Sequence, residues 1–282
     1  MSVIPVLTSS SPSATNAVLM NMRVTGATAR VYVLRYASNP IQLLRAPLSP
    51  MLQLAGFVLA YNISGQTTVP ASQVIGFLVI GIFMTETWNA TVWGSGNALQ
   101  SERYMGTISA VIAAPASTAA VIVGYTLGSL LAYIPSVATC AVVGILAGAT
   151  FDVASPLAAA IALITVYVCT FCIGLAFGGL FILSKNSNAL SNFLQSPIYL
   201  LTGFYVPRSV LPEWLQRVSD LIPLSHAVDA LRGALLQGKT VEDLMNPLLA
   251  ALGTSAVFLV VGIWALGKAD RAIRRSGTLD IL

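Results

Sequence analysis

No charged residue interrupts the stretch from Pro156 to Leu183, PLAAAIALITVYVCTFCIGLAFGGLFIL, and this run constrains the fold more than any other feature. An α-helix rises about 1.5 Å per residue, so about 20 mostly apolar residues cross the hydrocarbon core of a bilayer. Comparable runs recur along the chain. Only 9% of the residues are charged and 56% are hydrophobic, with a mean hydropathy of +0.82. A soluble chain carries about a quarter charged residues to cover its surface. So few charges cannot clothe a water-exposed globule, which implies an all-α, polytopic membrane protein.

The same ruler predicts six spans. They run over Pro47–Ser64, Ser72–Gly96, Ser117–Ala149, Pro156–Leu183, a short fifth from Asn192 to Tyr205, and Met245–Lys268. Arg23, Arg30, Arg35 and Arg45 precede the first span, and Lys268, Arg271, Arg274 and Arg275 follow the last. Arg103 and Lys185 fall in the loops after the second and fourth spans, whereas GQTTVPA and TFDVAS carry no Lys or Arg. The bias of basic residues towards the cytoplasm predicts a multi-pass protein of the cell membrane with both termini inside. Residues 1–20 read as a flexible cytoplasmic tail, 21–46 as an amphipathic interface helix, 47–268 as the transmembrane domain and 269–282 as a second cytoplasmic tail.

Val206–Asp243 is too polar and too rich in proline to span the membrane. Pro212 is suited to open a short helix bearing Trp214, Leu215 and Val218. A second helix after Pro223 sets Val228, Leu231 and Leu235 on one face and Asp229 and Arg232 on another. Both read as short outer amphipathic helices at the headgroup layer between the fifth and sixth spans. The pairs Gly124/Gly128, Gly144/Gly148 and Gly174/Gly178 are spaced for close helix approach in lipid.

Several chemistries are argued against. Cys140, Cys169 and Cys172 all lie in apolar runs, so Cys-Thr-Phe-Cys reads as packing and not as a redox pair. The net charge of +4 comes from arginines at membrane boundaries, which gives no basic face for nucleic acid. His226 is the sole histidine, so neither a histidine metal centre nor a catalytic dyad is expected. GALLQGKT, Gly233–Thr240, matches the phosphate-binding pattern G-x-x-x-x-G-K-[ST], yet it continues the helix-like run SHAVDALRGALL. A working site follows a strand and opens a helix, and Glu242 and Asp243 would repel a polyanion. The match is read as accidental, with no cofactor bound by this chain.

Two stretches carry a resemblance to a known family. LQSERYMGTISAVIAAPAS, after the second span, and LLTGFYVPRSVLPEWLQRVSDLIPLSHAVDALRGALL, before the sixth, are similar to the signatures of ABC type-2 exporter permeases. SAVIAAP is blander than the leucine-rich version of that signature. The resemblance implies a membrane subunit that pairs with a second copy or a paralogue. It further implies a separate cytoplasmic ABC ATPase subunit that binds the ATP. It also implies that the helix with Arg35 and Arg45, and the loop with Glu102, Arg103, Gly106 and Thr107, contact that ATPase.

Glu86 lies near the middle of the second span, where an ionised carboxylate is expensive and most often functional. Helical spacing aligns it with Asn89, Trp93 and Asn97, while Asn192, Gln195, Tyr199 and Thr202 form a stripe on the fifth span. One reading has these stripes lining a path for an amphipathic small molecule (a drug, natural product or lipid) moved by alternating access. The other has them as interhelical glue. An ion-coupled secondary transporter using Glu86 is the alternative function, although the short fifth span has no counterpart in the first half.

Overall fold

The computed structural model describes residues 14–63, 70–96, 117–182, 184 and 187–276. In chain order these form α1 (Ala14–Ser38), α2 (Pro40–Ile63), α3 (Ala71–Gly96), α4 (Thr118–Ala132) and α5 (Ile134–Leu146). They continue with α6 (Pro156–Ile182), α7 (Ser187–Leu201), a 3-10 turn (Arg208–Val210), α8 (Glu213–Ser219), α9 (Pro223–Leu236) and α10 (Met245–Ser276). No strand occurs among the described residues, so the all-α membrane architecture holds.

Among the described residues, five segments are long and apolar enough to cross a membrane: Pro40–Ile63, Ala71–Gly94, Thr118–Leu146, Pro156–Phe181 and Met245–Arg271. The third combines α4 and α5, which meet at Tyr133 just before Pro135. Proline lacks an N–H and cannot continue the hydrogen-bond ladder, so the helix jogs there without ending the span. The expected fifth span is α7, with 15 residues. At 1.5 Å per residue it reaches about 22 Å, less than the hydrocarbon thickness. It stops at Gly203, whose φ of +75° only glycine adopts easily.

α1 and α2 break at Asn39, whose Oδ1 accepts the N–H of Ile41 at 3.0 Å. α1 lies lengthwise on α4, and two glycines of the expected close-approach motif explain how. A Cβ on Gly124 would sit 2.6 Å from the carbonyl oxygen of Thr25, and one on Gly128 would sit 2.8 Å from that of Ala29. Thr25 donates to the Ala120 carbonyl at 3.1 Å, and the Tyr32 and Tyr125 rings meet edge to face at 5.7 Å. The other side of α1 exposes Leu19, Met22 and Leu34 beside Arg23 and Arg30. Replacing both Gly124 and Gly128 by alanine is expected to lift α1 from α4. Trypsin should then cut at Arg23 and Arg30 in the variant faster than in the wild type, because local opening exposes the backbone. Equal rates would refute this packing.

α3 is the central helix and packs against α2, α4, α5, α6, α7 and α9. Trp88, Ile82 and Met84 are almost completely enclosed there. α6 and α10 form the most extensive helix pair, and a Cβ on Gly262 would fall 2.9 Å from the backbone nitrogen of Ala176. The outer helices differ from each other. α8 leaves Trp214 66% exposed, as a headgroup-level helix should. α9 instead sinks between α3, α6 and α10, burying Leu224, Val228, Leu231 and also Arg232. Arg232 therefore faces inward, contrary to the sequence expectation.

Candidate functional site

Glu86 is 4% exposed on α3 and sits where three helices converge. Its Oε1 accepts from Ser49 Oγ at 2.8 Å and from Gln53 Nε2 at 3.0 Å, both on α2. Its Oε2 faces Ser136 Oγ of α5 at 3.2 Å, and that hydroxyl shares its proton with the Ala46 carbonyl at 3.0 Å. Gln53 also donates to Ser49 at 3.0 Å and accepts from the Tyr205 hydroxyl at 3.0 Å. Every one of these donors is neutral. The carboxylate is thus held by hydroxyl and amide dipoles fixed on separate helices, and each of its oxygens has a partner.

One helical turn along α3, the two expected stripes meet. Asn89 Oδ1 accepts from Gln195 Nε2 at 3.1 Å and from the Tyr199 hydroxyl at 2.9 Å. Gln195 also donates to the Tyr199 oxygen at 2.6 Å. Gln195 and Tyr199 are four residues apart and so share one face of α7, which the Asn89 oxygen closes into a ring. This ring joins the short α7 to α3. The rings of Tyr199 and Tyr205 stand edge to face at 6.0 Å, linking the Asn89 ring to the Glu86 cluster.

The remaining expected residues distribute differently. Trp93 is half-buried, Asn192 is exposed, and Thr202 is fully buried with its hydroxyl donating to the Ile198 carbonyl at 2.6 Å. Asn97, Glu102, Arg103, Gly106 and Thr107 lie outside the described residues. Arg35 and Arg45 are exposed on α1 and α2, and Arg35 donates to the Tyr125 hydroxyl at 3.3 Å.

Sequence reasoning missed Ser49, Gln53, Ser136 and Tyr205. A glutamine in the otherwise apolar first span was a usable signal for Gln53. A single serine in an apolar helix, such as Ser136, gives none.

Arg232 holds a second cluster beside this one. Its two terminal amino groups donate to the carbonyls of Gly203 at 2.6 Å and Phe204 at 2.7 Å, and the guanidinium lies 3.5 Å from the Phe77 ring centre. Burial lowers its pKa to about 10, and the neighbouring Asp229 opposes that shift. The group therefore stays charged near neutrality. At the surface above it, Arg208 pairs with Asp220 and, at 2.7 Å, with Asp229.

The GALLQGKT segment has the opposite polarity to a phosphate site. Gly233–Leu236 form the last turn of α9, where carbonyls point outward, and the Lys239 N–H donates to the Gly233 carbonyl at 3.1 Å. Thr240 gives both its N–H and its hydroxyl to Asp243, at 3.0 and 2.9 Å, which holds that carboxyl below its usual range.

A bundle of long apolar helices joined by a polar seam around one buried acidic side chain has a recognisable relative in sequence space: residues 24–236 match the ABC-2 type transporter family. The chain belongs to that family. It is also 24% identical over 222 residues to the daunorubicin resistance ABC transporter permease protein DrrB1 of Streptomyces coeruleorubidus, an alignment covering 78% of this chain and 77% of that one. The family match begins within α1 and ends at the last residue of α9, so it includes the whole seam and the Arg232 cluster. This ABC-2 protein is accordingly a multi-pass membrane permease subunit of an ABC transporter, a class that works with a cytoplasmic ATPase subunit.

Proposed function

We propose that this subunit moves an amphipathic small molecule out of the cell by alternating access, driven by ATP hydrolysis in a separate ABC ATPase. Two permease subunits, identical or paralogous, form the transporter in the plasma membrane, with both termini cytoplasmic. The observation carrying this reading is the family match, which extends through every helix of the seam. A relative named for daunorubicin resistance supports a small-molecule cargo. The basic residues flanking the first and last spans support the orientation.

In this reading the Asn89–Gln195–Tyr199 ring and Glu86 border the path between subunits. α7 is bonded to α3 through the Asn89 ring and rests Leu190, Leu194 and Ile198 on the apolar core. Arg35 and Arg45, with Glu102, Arg103, Gly106 and Thr107, form the ATPase-facing surface.

Inside-out vesicles carrying the permease and its ATPase partner should accumulate an amphipathic dye only when ATP is supplied. Accumulation that follows an imposed proton gradient without ATP would instead establish the ion-coupled reading. Glu86→Gln is expected to slow the ATP-driven uptake while the ATPase still copurifies, because the amide keeps the shape and removes the charge. Wild-type uptake in that variant would take Glu86 out of the cargo path.

A further inference from the structure

The outer end of the bundle contains a cavity of about 690 Å³ that shares Tyr205 with the seam. Gln73 and Phe77 of α3, the 150–152 connection, Tyr205 and Gln237 contribute to its wall, and Asp152 is the only charged residue among the described residues that line it. The Asp152 N–H donates to the Leu235 carbonyl at 2.8 Å, which pins the connection over the end of α9. Gly238, with φ of +57°, turns the chain beside the carboxylate, and a Cβ there would come within 3.1 Å of Oδ2. The carboxylate is therefore held at an exposed rim by backbone geometry.

A smaller apolar cavity of about 190 Å³ adjoins the first, with Phe151 in both walls. Ala141 of α5 and Leu163 of α6 stand on its two sides, over a floor that includes Phe83 and Leu231. α5 packs on α2 and α3, whereas α6 packs on α10, α3 and α9, which leaves a groove between them. Both Ala141 and Leu163 are exposed on the outside of the bundle, so the groove opens sideways to lipid.

We infer that this paired cavity is a lateral binding site for an amphipathic organic cation, with its apolar body in the α5/α6 groove and its positive head at Asp152. The site rests on the proposed transport function and deepens it, because it specifies the charge of the cargo and sets a docking point within one subunit. The chemistry selects one sign. An anion would meet the Asp152 carboxylate, and an uncharged hydrocarbon would strip water from Asp152, Gln73 and Gln237 without replacing it. A cation gains from the carboxylate and from the aromatic rings of Phe151 and Tyr205 in the wall. Arg232, whose guanidinium stacks on the wall residue Phe77, has both amino groups committed to backbone carbonyls. Tyr205 also lines the cavity and donates to Gln53, so an occupant touching it is one bond from the Glu86 cluster.

The test uses two probes of the same shape and opposite charge, tetraphenylphosphonium and tetraphenylborate. Equilibrium binding is measured on the permease–ATPase complex in nanodiscs, with empty nanodiscs subtracted. Wild type should prefer the phosphonium. Asp152→Asn should weaken phosphonium binding about fivefold, the upper range for a rim-exposed pair, and Asp152→Glu should retain it. Ala141→Trp, which fills the groove from its lipid-facing side, should remove binding, and Leu163→Trp should do the same from the opposite wall. Phosphonium binding unchanged in Asp152→Asn and both tryptophan variants overturns the site, as does a wild-type preference for the borate. ATP-driven dye uptake alongside such a failure leaves the transport reading standing. Specific phosphonium binding without any ATP-driven uptake would refute transport and retain the site.

Discussion

Arg232→Ala is expected to be the most damaging side-chain truncation at the α8/α9 end of the bundle, lowering stability by about 3 kcal/mol. Hydrogen bonds to charged groups contribute about 1.5–3 kcal/mol each, and leaving their buried partners unpaired adds to the loss. Arg232 is 7% exposed and supplies two such bonds, to the carbonyls of Gly203 and Phe204. Those carbonyls follow the last turn of α7, where no further helical N–H is available to them. Alanine would leave both carbonyls without the guanidinium and vacate the space beside Phe77. Lysine reaches with one compact ammonium group instead of a planar fork, so Arg232→Lys should recover only part of the loss. Thermal unfolding in detergent, followed by size-exclusion chromatography, orders the three proteins. Equal melting midpoints for wild type and Arg232→Ala would show that the guanidinium does not anchor α7.

Gly81→Ala should produce a defect of similar size at the same point by a different mechanism. A Cβ at Gly81 would overlap the carbonyl group of Phe204. Backbone cannot rotate away as a flexible side chain can, so α3 and the chain after α7 must separate. Overpacking of this kind costs about 3 kcal/mol at the upper end of its usual range. The displaced Phe204 carbonyl is the one Arg232 binds, and Thr85 donates to the Gly81 carbonyl at 3.0 Å while lying against the Tyr205 hydroxyl. The two substitutions therefore act on one unit. Their combined effect should fall well short of the sum of the single effects, as contacting residues generally show. Full additivity in a double-mutant cycle would mean that Gly81 and Arg232 support separate parts of the fold.

The membrane class, the long spans and the helical start of GALLQGKT follow from chain-local properties. Hydrocarbon demands that each crossing helix satisfy its backbone internally and present apolar side chains. The requirement is written into consecutive residues such as Pro156–Leu183. The phosphate pattern also fails locally, because Leu235 and Leu236 extend a helix into its carbonyl end.

Arg232 shows why periodicity alone misleads. It lies about 40° around the helix from Val228 and about 60° from Asp229, so a 3.6-residue repeat assigns it equally well to either face. Burial of α9 against three helices decides the matter. The glycine pairs posed a related problem: Gly124 and Gly128 announced a close approach, but not that α1 would occupy it. Glu86 was visible as a carboxylate in an apolar span, yet its donors lie 33 to 50 residues away along the chain.

That this chain enters the bilayer as apolar helices is already set by its residue order, since burying uncharged runs and satisfying backbone polar groups are local necessities. Which polar side chains meet depends on the packing of distant helices, because a hydroxyl or amide in lipid is stabilised by whichever partner that packing brings within about 3 Å. The Glu86 cluster, the ring joining α7 to α3 and the inward turn of Arg232 all arise at that second level.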